Sequence, residues 1–146
     1  MSKKCASQAV ACFKNGFSCS QAVFSTYAEL LGMDRDVALK VSGAFGGGMA
    51  RMGETCGAVT GALMVIGLKH ASANPDDEES KLKTYDLSRE FVARFKSRHT
   101  TSVCRDLLGC DVGTEEGRRI FDERNYKDTR CSKFVEDAVT ILEDIL

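Results

Sequence analysis

The chain has 146 residues, 43% hydrophobic and 28% charged, with a net charge of −1. That is long enough to bury a core and is the composition of an ordinary globular protein, read as a single domain over 1–146. The charge balance lacks the basic surface that nucleic acid demands, and no apolar run reaches the roughly 20 residues of a membrane span. After Lys3 and Lys4 the apolar run is short and broken by Gln8. That is no signal peptide, so the expected compartment is the cytoplasm.

In chain order, a first helix is expected from a Ser2 cap to about Lys14, with Cys5, Ala9 and Cys12 on one face. Asn15-Gly16 stops it. Ser18 opens a second helix, with Gln21 three residues on in a capping-box pattern, which makes Cys19 its first helical residue. That helix ends at Gly32, and Asp34 or Asp36 starts a short third one carrying Val37, Ala38 and Val41. Next comes FGGGMARMGETCGAVTGALMVIGL, from Phe45 to Leu68, a glycine-rich loop running into the longest apolar segment. From Gly57 to Leu68 only Thr60 is polar. A helix apolar all round belongs at the centre of a bundle. Gly53, Gly57 and Gly61, spaced by four, are expected on one face where another backbone comes close. Lys69 and His70 place cations at its C-terminal end.

Asn74-Pro75-Asp76-Asp77 reads as a helix start with proline at the first position and acid in the first turn. The helix runs to about Arg98 and presents Leu87, Phe91 and Phe95. Thr101 or Ser102 caps a short helix with Cys104 in its first turn and Leu107 and Leu108 as its apolar side, ended by Gly109. Thr114 opens another, burying Ile120 and Phe121. The last helix begins at Asp128 or Thr129, with Cys131, Val135, Ala138, Leu142 and Ile145 on one stripe. No period-two strand or repeat occurs, so the fold is all-α, a bundle of six to seven helices around the central apolar helix.

Seven cysteines stand out: Cys5, Cys12, Cys19, Cys56, Cys104, Cys110 and Cys131. In a reducing compartment that many point to redox chemistry or metal binding, and an odd number cannot all pair within one chain. By the boundaries above, Cys19, Cys56, Cys104 and Cys131 each fall in the first turn of a separate helix. Free N–H groups and the helix dipole there can lower a thiol pKa from about 8.5 towards about 7. Four helix starts meeting at one point would assemble a thiol oxidoreductase, with Cys56 as the attacking thiolate, Arg51 as its charge partner, and Cys19, Cys104 or Cys131 resolving the mixed disulfide. In the alternative reading the same four thiolates hold zinc or an iron–sulfur cluster, although no Cys-x-x-Cys knuckle pre-organises a pair. In a third, the chain is a helical interaction module whose cysteines are core. Cys5 and Cys12 read as packing residues, and His70 and His99 as helix-end groups rather than metal ligands. The glycine loop admits two readings, an anion cradle with Arg51 or a tight turn against a neighbouring helix. Glu54 stands where a P-loop needs lysine, and no strand precedes the loop.

The FGGG…GETCGAVTGAL segment, with Cys56-Gly57-Ala58-Val59-Thr60-Gly61 at its heart, resembles the C_GCAxxG_C_C family of redox-active proteins. The resemblance extends to Cys19-Ser20-Gln21-Ala22 upstream and to Cys104-Arg105-Asp106-Leu107-Leu108 and Cys131 downstream, nearly the whole chain. It implies that Cys19, Cys56, Cys104 and Cys131 are the family's four defining cysteines, and that the protein is helical with a redox role. It supplies neither substrate nor redox partner. A related domain occurs in split-Soret cytochromes, but Cys-x-x-Cys-His is absent here, so no c-type haem is expected. A homodimer would suit the apolar termini and the glycine-faced helix.

Overall fold

The structure is a computed structural model that describes residues 2–146, with side chains described from Lys4 onward. Its elements are α1 (Ser2–Lys14), α2 (Cys19–Leu30), α3 (Arg35–Val41), α4 (Gly57–His70), α5 (Glu78–His99), α6 (Cys104–Leu108), α7 (Glu115–Glu123), a π turn (Lys127–Cys131) and α8 (Ser132–Ile145). Among the described residues there is no strand, only one isolated antiparallel bridge between Thr55 and Val103. The fold is all-α, as expected. Seven of the eight α-helices have at least seven residues, and the five-residue α6 adds the eighth. None of these helices is long and apolar enough to cross a membrane.

Capping chemistry sets most of the boundaries. The Ser18 side chain accepts from the Gln21 N–H while the Gln21 side chain accepts from the Ser18 N–H, a complete capping box. Asp34 caps α3 through the Val37 N–H, and Thr114 caps α7 through the Gly117 N–H. Gly16, Gly32 and Gly109 end their helices with positive φ. The expected Ser2 cap rests on a side chain outside the described ones.

Three starts differ from expectation. α5 begins at Glu78 with Asp77 as its cap, because Asn74 spends its side chain on an Asx turn to the Asp76 N–H. The cap of α6 is Val103, not Thr101 or Ser102, since the bridge to Thr55 holds that residue extended. The last helical run begins at Tyr126, turns as a π-helix and becomes α8 after Cys131.

Helix α4 is the centre of the bundle, packing on α2, α5 and α8. Ala58, Val59, Ala62, Val65 and Ile66 are buried in it. Phe91 and Phe95 of α5 and Val135, Ala138, Val139 and Leu142 of α8 complete the same core. Full burial of an aromatic or branched aliphatic side chain contributes about 1.5–3 kcal/mol, so this cluster carries most of the stability. Ile120 and Phe121 are only half-buried, and Phe121 borders a cavity. The start of α4 lies against the start of α2. A Cβ at Gly57 would come within 2.9 Å of the Ser20 nitrogen, and one at Gly61 within 2.8 Å of the Ser20 carbonyl oxygen. Gly53 does not share that face. It lies in the preceding loop at φ +71°, facing Arg105 and Asp111.

The two histidines play different parts. His99 Nε2 lies 2.8 Å from an oxygen of buried Asp137, which also meets Arg98 and Lys133, so the end of α5 is tied to α8. His70 is not the cation expected at the end of α4. Burial and the nearby Lys83 and Lys69 lower its pKa, and its Nε2 has no hydrogen-bond partner among the described residues.

Glycine substitutions in α4 should separate close packing from helix propensity. Gly61→Ala, which forces a methyl onto the Ser20 carbonyl, should lower stability by about 1–3 kcal/mol in urea unfolding. Gly67→Ala, where a Cβ meets nothing within 4 Å, should raise it by about 0.5–1 kcal/mol.

Candidate thiol site

Two backbone constraints converge the cysteines. The first is the α2–α4 contact just described. Because Gly57 has no side chain, the Cys19 Cβ lies only 3.1 Å from where a Gly57 Cβ would stand, which sets Cys19 beside Cys56. The second is the Thr55–Val103 bridge. The Cys56 N–H donates to Ser102 O at 2.8 Å and the Cys104 N–H donates to Glu54 O at 2.6 Å, so the starts of α4 and α6 run side by side. Arg130 then fastens the far end of α6, its guanidinium donating to the carbonyls of Leu107 and Leu108 from the residue before Cys131.

Cys19, Cys56, Cys104 and Cys131 all line one cavity of about 620 Å³. Six of the seven cysteines are buried, and Cys19 is the half-buried one. All seven are free thiols. The mouth of the cavity is bordered by exposed Arg51, Arg118 and Asp122, and its walls include Phe13, Phe17, Phe121 and Phe134.

The glycine loop forms one wall. Gly47 and Gly48 adopt φ of +68° and +70°, and Met49, Ala50 and Arg51 continue at +68°, +53° and +61°. Three consecutive non-glycine residues in the left-handed region cost about 1–2 kcal/mol each. The turn closes on itself, with the N–H groups of Met49, Arg51, Met52, Gly53 and Glu54 donating to carbonyls between Phe45 and Met49. A Cβ at Gly48 would lie 2.6 Å from that of Cys104. With those amides spent internally, the loop is a tight turn.

The thiols are not equivalent. The neighbouring Cys19 thiol, with the charges of Arg130 and Lys127, draws the Cys131 pKa below its ordinary value against the effect of burial. Cys19 is pushed well above that value, first by the Cys131 sulfur, then by burial and the other sulfurs. Burial raises Cys56 to about 12, although the N–H groups of Ala58 and Val59 pull the other way. Cys104 also rises to about 12, through burial and the sulfurs of Cys56 and Cys131. Four thiols in one cavity therefore share a single favourable thiolate, because each further negative charge would be placed beside the first.

At Cys56 burial outweighs the helix-end amides, whereas Cys131 is the cavity thiol whose pKa is drawn down. One expectation about position is corrected here. Cys131 is not in the first turn of its helix. It lies at the end of the π turn, five residues beyond Tyr126, so its acidity comes from side chains instead of free backbone donors. Helix-start placement holds for Cys19, Cys56 and Cys104. Arg51 borders the cavity that Cys56 lines.

Cys5 packs by Tyr27 and Glu143, and the Cys12 sulfur lies 3.9 Å from the Ser25 hydroxyl, both away from the cavity. Cys110 is buried close enough for its charge to be felt by Cys104 and for it to feel Cys131. Sequence reading missed Cys110 in this neighbourhood, as it did Lys127, Arg118 and Arg130. The signals were present: Lys127 and Arg130 stand four and one residues before Cys131, and Arg118, Phe121 and Asp122 share one face of α7. Among the described residues, no group of three or more His, Cys, Asp or Glu side chains is placed to hold a metal ion. The four thiols do not converge as a zinc or cluster ligand set.

The family described as "Putative redox-active protein (C_GCAxxG_C_C)" matches residues 17–145. No curated protein and no solved structure matches the chain.

Alkylation kinetics should order the thiols. A lowered pKa keeps the reactive thiolate populated at lower pH, so Cys131 should react with iodoacetamide at neutral pH, while Cys56 and Cys104 stay slow until the solution nears pH 12. Lys127→Gln with Arg130→Gln should raise the Cys131 pKa and slow its alkylation at pH 7 by roughly threefold, read by mass spectrometry of the labelled peptide.

Proposed function

The chain belongs to the C_GCAxxG_C_C family of redox-active proteins, and from that premise we propose that it performs thiol–disulfide exchange, with Cys131 as nucleophile and Cys19 as resolving thiol. The observation that carries this reading is that Cys19 and Cys131 line one solvent-bordered cavity, near enough that each shifts the other's pKa, Cys131 downward and Cys19 upward. Attack requires the thiolate, and resolution requires a second sulfur within reach.

The Cys131 thiolate attacks one sulfur of a substrate disulfide, the substrate S–S bond breaks, and one thiolate leaves. Cys131 is then neutral in a mixed disulfide. The charge that kept Cys19 protonated has gone, so Cys19 can release its proton to the departing thiolate. Its sulfur attacks that of Cys131, the second substrate thiolate leaves, and a Cys19–Cys131 disulfide closes. Two electrons have passed to the substrate, and the reverse sequence oxidises a dithiol. This activity makes the protein a thiol oxidoreductase.

Mild oxidation of the reduced full chain should yield a Cys19–Cys131 disulfide as the first product in peptide mapping. Cys131→Ser should abolish it, and Cys19→Ser should trap the mixed disulfide with the oxidant. Absence of any crosslink among the four cavity cysteines would return them to the role of core packing in an interaction module.

A further inference from the structure

The charged side chains around the thiol cavity are distributed unevenly. The chain has ten arginines. Five are in ion pairs: Arg89, Arg94, Arg98, Arg105 and Arg119. Arg35 lies over Phe17, Arg124 donates to Tyr126, and Arg130 caps α6. Among the described residues, only Arg51 and Arg118 have no ion pair, side-chain hydrogen bond or aromatic contact, and both border the cavity that holds the four cysteines. Lys127, on the same lining, lies over the Phe13 ring at 5.3 Å. Against these three cations the lining carries one carboxylate, Asp122. Arginines left without partners beside a nucleophilic sulfur are available to a ligand, and their forked donors match carboxylates.

We propose that the cavity binds a low-molecular-weight disulfide bearing at least two carboxylates, with Arg118 and Arg51 gripping the carboxylates while the disulfide meets Cys131. The inference rests on the thiol-exchange reading and names its substrate class. The volume of about 620 Å³ lies within the range of small-molecule sites and is too small for a folded protein domain to enter. The phenylalanine walls can cover the methylene portions of such a molecule. In the reaction the protein dithiol and the bound disulfide become one protein disulfide and two small thiols. Each departing thiol carries a carboxylate past the same arginines, which should make exchange depend on salt.

The test measures second-order oxidation rates of the reduced full chain by two probes, glutathione disulfide as the anionic one and hydroxyethyl disulfide as the neutral one. The readout is the ratio of the two rates, so effects on Cys131 itself cancel. In the unmodified chain the ratio should fall with added salt. Arg118→Gln and Arg51→Gln should each lower it about threefold to tenfold, and Arg118→Lys should retain an intermediate value. Arg119→Gln, on the same helix but paired with Glu123 outside the cavity, should leave the ratio unchanged. A ratio that ignores salt and both glutamine substitutions, while hydroxyethyl disulfide still forms the Cys19–Cys131 bond, would overturn the substrate assignment and leave the exchange reading intact. Failure of both probes to form that bond would overturn the two together.

Discussion

The close approach of two backbones at Ser20 is the contact on which the site depends. Gly57 and Gly61 remove the side chains that would keep α4 from α2, and Ser20, fully buried between them, sends its hydroxyl to the Ser42 carbonyl at 2.9 Å. One hydrogen bond thus joins the start of α2 to the end of α3 while satisfying a polar group that would be costly to bury alone. The same approach draws Cys19 towards Cys56. A bulkier residue at either glycine would separate the two thiol-bearing helix starts before it affected any reactive atom.

Electrostatics then differentiates four chemically identical side chains. Burial penalises a thiolate everywhere in the cavity, and the sulfurs penalise one another. Only Cys131 has both the Cys19 thiol beside it and two cations on its own helical run. Ionisation of one member therefore suppresses the others.

The loop from Gly46 to Gly53 carries a conformational cost that the surrounding structure must offset. Three left-handed non-glycine residues persist because the turn satisfies its own amides and packs Gly48 against Cys104 and Glu54. Such strain gathers where backbone must follow a functional surface instead of its own preference. Here it forms a wall of the thiol cavity and sets Arg51 at the rim.

Local chemistry made much of the fold legible in the sequence. The Ser18–Gln21 capping box, the Asp34 and Thr114 caps, the apolar run after Gly57 and the glycine stops act over three or four residues, a range that spacing alone encodes. The same locality explains where reading along the chain ran short. The bridge from Thr55 to Val103, the meeting of Cys19 and Cys131 at one cavity, and the passage of Arg130 back to α6 join residues tens of positions apart. Cys131 looked like a helix-start thiol because the π turn before it is maintained by packing that no periodicity announces. By itself, the sequence determined an all-helical chain with four cysteines set at or near helix starts. Which thiol is the easiest to ionise was decided by tertiary structure, because a thiol's acidity depends on burial, neighbouring charge and hydrogen-bond partners, and each of these is supplied by a different segment of the chain.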